Sequence, residues 1–220
     1  MSIKLHKADF ERLPKTAIDP WLSIPTATIS DAMNRQNVMT GRINSLISGS
    51  KLVGQARTVS VLAGDNSAIH AIINLLNAGD VLVIDGGSYY ERALWGGILN
   101  SIAQSKGVSG VVIDGAIRDT LDLKRMGIPI FFAAVTPAGP HKGWGGNIDS
   151  AISCGGVSVS PGDIIVGDDD GVVAVPLKQW KSVLENAKER IIAEQAVFEK
   201  IHKKDFDRVS FHKTKIEIIE

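Results

Sequence analysis

The chain has 220 residues, of which 44% are hydrophobic, and this is enough to form one domain with a buried core. Its 24 Lys and Arg residues balance 24 Asp and Glu residues, so it lacks the basic excess typical of proteins that bind nucleic-acid phosphates. Since the longest apolar runs, such as residues 81–84, are far shorter than the ~20 residues of a membrane helix, we expect neither nucleic acid nor a membrane as a partner.

The N-terminal residues and the cysteine content bear on the cellular compartment. Residues 1–15 carry scattered charges and no apolar stretch, so we expect no secretory signal. Cys154 is the single cysteine, which permits no internal disulfide and fits a reducing compartment. It is a candidate nucleophile, but such a residue more often fills a small buried space, and we favour that interpretation. We therefore expect a cytoplasmic protein.

Helical and strand patterns alternate in the centre of the chain. Apolar residues recur at helical spacing in three segments, at 67–77, 93–106 and 120–126. Gly107 follows the second of these segments, as C-terminal helix caps do, and Gly127-Ile128-Pro129 stops the third. Short β-branched runs closed by glycine-containing turns lie at 81–84, 111–113 and 164–166. This alternation predicts an α/β fold, and the unbroken apolarity of the runs predicts strands covered on both faces.

Three further features lie in the second half of the chain. Residues 136–147 contain two Pro and four Gly, which predicts a loop of the kind that often carries function. The three adjacent carboxylates before Gly171 suggest a metal site, but they lack EF-hand spacing, and a hairpin turn is the favoured interpretation. A charged helix with one partly apolar face is predicted over Leu177–Lys204.

Arg118 and Asp119 belong to the segment 115–119, which directly follows the predicted strand ending at Asp114 and lies at the kind of strand end where open α/β sheets bind ligands. Arg118 offers a planar fork that suits a carboxylate, and Asp119 offers oxygen ligands that suit a hard divalent cation. The two adjacent residues are equally compatible with a surface ion pair. The residue types alone leave both interpretations open.

A second cluster, residues 93–100, places Gly96 and Gly97 at a predicted helix start. Free amides in a first helical turn bind anions, although glycines there can also serve simple packing. Neither a dinucleotide-binding glycine motif nor a Walker loop is present, so nucleotide binding has no support. The five histidines form no pair at zinc spacing, and His141, in the glycine-rich loop, is the one at a plausible site position.

Five motifs together carry a resemblance to a known family. They are residues 95–99, 110–119, 135–140, 153–157 and 161–176. In this order they resemble the RraA-like family, over residues 24–176. That family contains class II pyruvate aldolases for 4-hydroxy-4-methyl-2-oxoglutarate and 4-carboxy-4-hydroxy-2-oxoadipate, the regulator of ribonuclease activity A, and members labelled as demethylmenaquinone methyltransferases.

The resemblance implies a swivelling β/β/α sandwich for residues 24–176, preceded by an N-terminal extension (1–23) and followed by a C-terminal helix and tail (177–220). It also implies a homotrimer or homohexamer with active sites at subunit interfaces. Arg118 matches the arginine that binds the pyruvyl carboxylate and steadies the enolate, and Asp119 matches the direct protein ligand of Mg²⁺ or Mn²⁺. The matching substrate loop is Gly96, Gly97, Ile98 and Leu99. Glu194 is a weaker match, to an acid supplied by the neighbouring subunit.

The chain departs from the aldolases at two positions. Gly97 stands where they carry an acid that orients the water acting as base, and Asn147 stands where their glycine-rich loop has a glutamate. Aldol cleavage must deprotonate a hydroxyl, whereas decarboxylation of oxaloacetate needs no base. His141 or a metal-bound hydroxide is a candidate replacement for the missing base.

These observations predict a lyase dependent on Mg²⁺ or Mn²⁺ that acts on 2-keto acids. It would release pyruvate by retro-aldol cleavage of 4-hydroxy-4-methyl-2-oxoglutarate-type substrates, by decarboxylation of oxaloacetate, or by both. The alternative is a non-catalytic, protein-binding regulator of ribonuclease activity. Because the regulators lack the aspartate of the Arg-Asp pair, Asp119 favours the enzyme. A methyltransferase is excluded, since the glycine-rich S-adenosylmethionine loop is absent.

Overall fold

The computed structural model describes residues 2–205 and 217, which form the α/β fold that the sequence predicts. The helices are α1 (Lys15–Ile18), α2 (Thr26–Ala32), α3 (Ser67–Ile72), α4 (Gly97–Ser105), α5 (Thr120–Met126) and α6 (Trp180–His202). The strands are β1 (Ile3–Leu5), β2 (Asn44–Ser45), β3 (Leu52–Val61), β4 (Asp80–Trp95), β5 (Gly110–Ile117), β6 (Ile130–Val135), β7 (Gly146–Ile148), β8 (Ile152–Cys154), β9 (Val157–Val159), β10 (Ile164–Asp168) and β11 (Gly171–Val175). Within these residues, no helix combines the length and the apolar character that a membrane crossing requires. Most of the predicted tail, residues 206–216 and 218–220, lies outside the described residues.

The main sheet is built on four adjacent parallel strands, β3, β4, β5 and β6. The short strand β2 pairs antiparallel with β6 at one edge. At the other side, β3 pairs antiparallel with β10 along its first half and with β7 at its end, and β1 continues the sheet beside β7. β10 and β11 form a hairpin, and β8 and β9 form a separate two-stranded sheet. The carboxyl ends of β4 and β5 therefore lie side by side.

Three buried clusters arrange the elements in layers. Side chains of α3, α4 and α5 pack on one face of the parallel strands, and side chains of β8 to β11 pack on the other. The outer face of the β10–β11 hairpin packs against α2 and α6. Both faces of β4 and β5 are therefore covered, as their unbroken apolar runs predict, because Leu82 and Ile84 lie in the first cluster and Val81 and Val83 in the second.

The predicted ends of the strands over 81–84 and 111–113 are wrong. Both strands continue through the glycines that follow these runs. β4 extends to Trp95 with bulges: Asp85 pairs with Asp114, and the next pair is Tyr89 with Gly115. At Gly86, a Cβ atom would lie 2.5 Å from the Asp114 carbonyl oxygen and 2.6 Å from Leu94 Cδ1. This glycine allows the two strands to approach closely and does not form a terminating turn.

Two predicted helices are shorter than expected. Residues 93–95 pair with β5 instead of opening a helix, so α4 begins only at Gly97. The helix predicted over 67–77 ends as α-helix at Ile72 and continues as a 3-10 turn to Leu75. Its last carbonyl groups accept hydrogen bonds from side chains of neighbouring elements: Lys106 Nζ donates to Asn74 at 3.0 Å, and Arg57 Nη1 donates to Leu75 at 2.8 Å.

Other local predictions are confirmed. α5 has the predicted bounds, and Gly127 caps it with a left-handed φ of 79°. The acidic run forms the turn of the β10–β11 hairpin, where Asp168 accepts hydrogen bonds from the Thr26 amide (2.9 Å) and Lys51 Nζ (3.0 Å). Burial opposes ionisation of Asp168, but these partners lower its pKa overall. Cys154 is buried, and this burial raises the pKa of its thiol.

Residues 2–23, the described part of the predicted N-terminal extension (1–23), pack along the domain. β1 pairs with β7, and Trp21 is fully buried in the cluster beneath α6. The guanidinium of Arg12 forms an ion pair with the buried carboxylate of Asp80 at the start of β4. Through this ion pair the extension is attached at the end of β4 opposite to its carboxyl end.

Candidate functional site

The carboxyl ends of β4 and β5 bring the two predicted clusters together. Trp95 is the last residue of β4 and pairs with Ile117, the last residue of β5. The Arg118 amide donates to the Trp95 carbonyl oxygen at 3.0 Å, so the chain leaves both strands at the same level. Gly97 and Asp119 are thereby placed next to each other, although 22 positions separate them in the sequence.

The carboxylate of Asp119 contacts the first turn of α4. The Gly97 amide donates to Asp119 Oδ2 at 3.0 Å, and Arg118 Nε lies 3.7 Å from the same oxygen. The other oxygen, Oδ1, has no hydrogen-bond partner among the described residues. Asp119 has a left-handed φ of 59°, and its side chain is 43% exposed. A free, exposed carboxylate oxygen is thus held by backbone geometry that is uncommon for a residue other than glycine.

Gly96 makes room for this arrangement. A Cβ atom at Gly96 would lie 2.7 Å from Asp119 Oδ2 and 3.1 Å from Arg118 Cγ. A side chain there would displace both functional groups. At Gly97, by contrast, a Cβ atom would lie 3.7 Å from Asp119 Oδ2, which is an ordinary contact. Position 97 therefore has space for a side chain that this chain does not carry.

A cavity of about 100 Å³ opens beside these groups. Gly96, Gly97, Ile98, Leu99 and Arg118 line it, together with Ala93, Leu94, Trp95, Pro140 and three polar residues that were not predicted from the sequence, Asn66, His70 and Lys142. Asn66 directly precedes α3, His70 lies within it, and Lys142 belongs to the predicted loop 136–147. They come from two separate segments, so only the fold brings them to the motif residues. The sequence gives little sign that these three residues belong to the site. The one available sign is that Lys142 is the single lysine of the glycine-rich loop.

The polar groups of the cavity are largely free to meet a ligand. Asn66 Nδ2 donates to the Leu94 carbonyl oxygen at 3.2 Å, which leaves Asn66 Oδ1 buried without a partner among the described residues. Burial lowers the pKa of His70, and the positive charge of Lys142 lowers it further. Arg118 and Lys142 place two positive charges at the cavity, whereas no carboxylate of the described residues belongs to its lining. This environment suits an anionic ligand.

The loop 136–147 forms one wall of the cavity and is held by backbone hydrogen bonds. The Ala93 amide donates to the Ala138 carbonyl oxygen at 2.8 Å, and the His141 amide donates to Gly64 at 2.7 Å. The His141 side chain stacks on Trp144, with ring centroids 4.7 Å apart and an interplanar angle of 19°. His141 is therefore outside the cavity lining, unlike Lys142 beside it.

The two remaining predicted residues also lie away from the cavity of the single chain. Asn147 is part of β7, where its Nδ2 donates to Ser60 Oγ at 3.3 Å. Glu194 is exposed on α6, in the half of the helix that follows Ala187 and buries no side chain. Neither residue contributes to the cavity lining within one chain.

Comparison with known proteins places the chain in a family. A profile described as RraA-like, Aldolase/RraA, matches residues 26–174. The chain is 41% identical, over 81% of its length and 85% of the relative's, to a protein of Halalkalibacterium halodurans provisionally named a 4-hydroxy-4-methyl-2-oxoglutarate aldolase. It is 33% identical, over 69% of its length and 92% of the relative's, to the 4-hydroxy-4-methyl-2-oxoglutarate aldolase of Thermus thermophilus.

A solved structure supports the same placement. The crystal structure of Streptomyces coelicolor RraAS2, described as an unusual member of the RNase ES inhibitor RraA protein family, superposes with a TM-score of 0.77. The match has 27% sequence identity and covers 85% of this chain and 98% of that one. The motif order, the layered fold and the profile agree, and the chain belongs to the RraA-like family.

Proposed function

We propose that this chain is a lyase of 2-keto acids that depends on Mg²⁺ or Mn²⁺ and releases pyruvate. The reaction is retro-aldol cleavage of 4-hydroxy-4-methyl-2-oxoglutarate-type substrates, decarboxylation of oxaloacetate, or both. The observation that carries the proposal is that Arg118 and the first turn of α4 line one cavity, and that the Asp119 carboxylate accepts the amide of Gly97, a residue of this lining. The names of the two relatives support the aldol reaction.

The cavity has separate groups for the charges of a 2-keto diacid. Arg118 provides a planar guanidinium that can hold a carboxylate through two hydrogen bonds. The amides of Ile98 and Leu99 are in the first turn of α4, where backbone N–H groups have no intrahelical acceptor and attract anions. Lys142, on the loop wall, supplies a second positive charge for the second carboxylate. A dicarboxylate is therefore the expected substrate.

The residues present fit a hard divalent cation at Asp119. Its Oδ1 atom has no hydrogen-bond partner among the described residues, and carboxylate oxygen is the ligand that Mg²⁺ and Mn²⁺ prefer. Among the described residues, at Asp119 as elsewhere, no three His, Cys, Asp or Glu side chains cluster in a way that could hold a metal, so water and substrate would complete the shell of an ion at Asp119. When bound, such an ion polarises the keto oxygen of the substrate. Arg118 keeps the carboxylate oriented and stabilises the negative charge that develops as the carbon–carbon bond breaks.

A second copy of the chain is proposed to complete the site, as a homotrimer or homohexamer. Apolar side chains are exposed at the cavity mouth (Ile98, 74%) and on the outer half of α6 (Ile192, 70%; Phe198, 59%). Exposed apolar groups of this size favour a protein interface, and Glu194 lies on the same half of α6. We expect sedimentation velocity to give three or six copies, and Phe198→Asp to shift the protein toward monomer. A wild-type monomer at micromolar concentration would contradict this assembly.

The alternative function is a protein-binding regulator of ribonuclease activity. The description of the RraAS2 structure favours it, since that relative is assigned to an RNase inhibitor family. A regulator of this kind has no need of a metal or a keto acid. The two functions therefore differ in a direct assay.

The test couples pyruvate release to lactate dehydrogenase. Oxaloacetate and 4-hydroxy-4-methyl-2-oxoglutarate are each supplied with Mg²⁺ and, separately, with EDTA. We expect pyruvate from at least one substrate with Mg²⁺ and none above the uncatalysed rate with EDTA. Activity that survives EDTA would contradict the metal requirement. Inactivity on both substrates, with Mg²⁺ and with Mn²⁺, would favour the regulator.

A further inference from the structure

We propose that His70 is the general base of the retro-aldol reaction, taking the proton of the substrate hydroxyl in place of the acid missing at Gly97. The inference rests on the proposed lyase function and deepens it. The residues predicted from the sequence include no established acceptor for the hydroxyl proton, and the inference assigns that role to His70. The observation behind it is that His70 lines the same cavity as Arg118 and the first turn of α4.

The cavity needs a proton acceptor and offers few. Cleavage of a bond beside a hydroxyl-bearing carbon requires that the hydroxyl proton be removed. The described lining includes no carboxylate, and Asp119 Oδ2 already accepts the Gly97 amide with Arg118 Nε close by. Asn66 does not titrate, and Arg118 and Lys142 carry positive charges. Among the lining residues, His70 is left as the group that can take up a proton near neutral pH.

His70 is held on a rigid element. α3 is anchored by Ala68, Ile69 and Ile72, all fully buried, and the His70 amide donates to the Asn66 carbonyl oxygen at 3.1 Å. The imidazole itself has no hydrogen-bond partner among the described residues. A side chain that is carried on an anchored helix and has unengaged nitrogen atoms can receive a proton without first breaking a hydrogen bond.

Burial and the nearby positive charge favour the neutral form of His70. The pKa of His70 lies below the ordinary value of 6.5 for two reasons. Burial of the side chain is the larger cause, and the positive charge of Lys142 is the second. Arg118 is the other charged residue of the cavity lining. The carboxylate of Asp65, which precedes α3, accepts hydrogen bonds from the amides of Ser67 (2.8 Å) and Trp144 (3.1 Å). At pH 7 the imidazole is therefore unprotonated and ready to act as a base.

The step balances without any further reactant. An imidazole nitrogen of His70 takes the proton of the C4 hydroxyl, and the oxygen electron pair forms the new carbonyl group as the C3–C4 bond breaks. The electron pair of that bond passes to C3 and gives the enolate of pyruvate, whose charge lies near Arg118. The imidazolium then returns the proton to C3, which becomes the methyl group of pyruvate. His70 is regenerated, and nothing is oxidised or reduced.

The test compares two reactions in the full-length chain with Mg²⁺. His70→Gln is expected to lower kcat for cleavage of 4-hydroxy-4-methyl-2-oxoglutarate by about 100-fold or more, the usual contribution of a general base. Oxaloacetate decarboxylation, which has no hydroxyl to deprotonate, is expected to stay close to the wild-type rate. Equal losses in both reactions, or no loss of cleavage, would overturn the inference. A wild-type protein that cleaves neither substrate would instead overturn the proposed function, and this inference with it.

Two further histidine variants show whether the loss of cleavage is specific to His70. His6 is exposed and outside the cavity, so His6→Gln is expected to leave both rates unchanged. His141→Gln removes the histidine that the sequence offered, beside a metal-bound hydroxide, as a candidate base. If this change abolishes cleavage while His70→Gln does not, the base is His141 and the inference is wrong.

The pH profile provides a readout that a purely structural role would not affect. Wild-type kcat for cleavage should fall as the pH drops through the pKa of His70, below 6.5. Lys142→Met removes a charge that lowers this pKa, so the acidic limb should move to higher pH, even if the substrate binds more weakly. An acidic limb that keeps its position in Lys142→Met would overturn the assignment. This test does not depend on the His70→Gln variant and therefore holds even if that variant fails to fold.

Discussion

Arg118→Lys is expected to lower kcat/KM for pyruvate release by about 100-fold or more while the fold is retained, a loss comparable to removal of one donor from an oxyanion hole. The side chain of Arg118 is 41% exposed and its ion-pair partner Asp119 is 43% exposed, so stability should change little. Lysine keeps the positive charge but cannot form two parallel hydrogen bonds to a carboxylate. The measurement is the coupled pyruvate assay, with thermal unfolding of the same samples.

Arg125 offers a matched control for this substitution. It lies on α5, close to Arg118 in sequence, and its side chain is 70% exposed in an ion pair with Asp122 at 3.3 Å. Arg125→Lys is expected to leave both activity and stability unchanged. If Arg118→Lys retains full activity, or if Arg125→Lys loses as much, the guanidinium of Arg118 is not the substrate clamp.

Arg57→Met is expected to lower the free energy of unfolding by about 3–5 kcal/mol, the usual cost of leaving a buried charge without its partner. Arg57 Nε and Nη2 donate to the two carboxylate oxygens of Asp149 at 2.8 and 2.6 Å, and both side chains are almost fully buried. The hydrogen bond to Asp149 is the main cause that raises the pKa of Arg57. Asp80, also buried, lies 3.8 Å from Arg57 Nη1.

This prediction is checked by urea unfolding at a fixed protein concentration, since the proposed self-association would contribute to the apparent stability. Arg125→Met serves as the control, because its exposed ion pair is expected to contribute less than about 1 kcal/mol. A loss for Arg57→Met no larger than that of the control would mean that the buried ion pair does not stabilise the fold. Arg57 lies in β3, and Asp149 directly follows β7. A large loss of unfolding free energy would therefore show that this ion pair stabilises the packing of β3 against the segment that follows the cavity loop.

The structure brings together some of the residues that the sequence proposed for the site and leaves others apart. Arg118, Asp119 and residues 96–99 are recognisable in the sequence because their chemistry and their position at strand–helix junctions are local features. His141 is the counterexample, since residue type and loop position make it a site candidate, yet its ring stacks on Trp144. His70 is not recognisable, because a histidine within an apolar helix pattern shows no local sign of the cavity it lines. Which side chains share a cavity is decided by segments distant in sequence.

The sequence by itself determined the α/β class, the helix 120–126, the hairpin at Asp168–Gly171 and the family motifs, because glycine positions and apolar periodicity act over a few residues. Only the tertiary structure decided that β4 runs through Gly86 to Trp95, because the pairing partner in β5, and not local propensity, sets where a strand ends. It alone also brought Asn66, His70 and Lys142 to Arg118, because a cavity is formed by packing between segments that are remote in the chain.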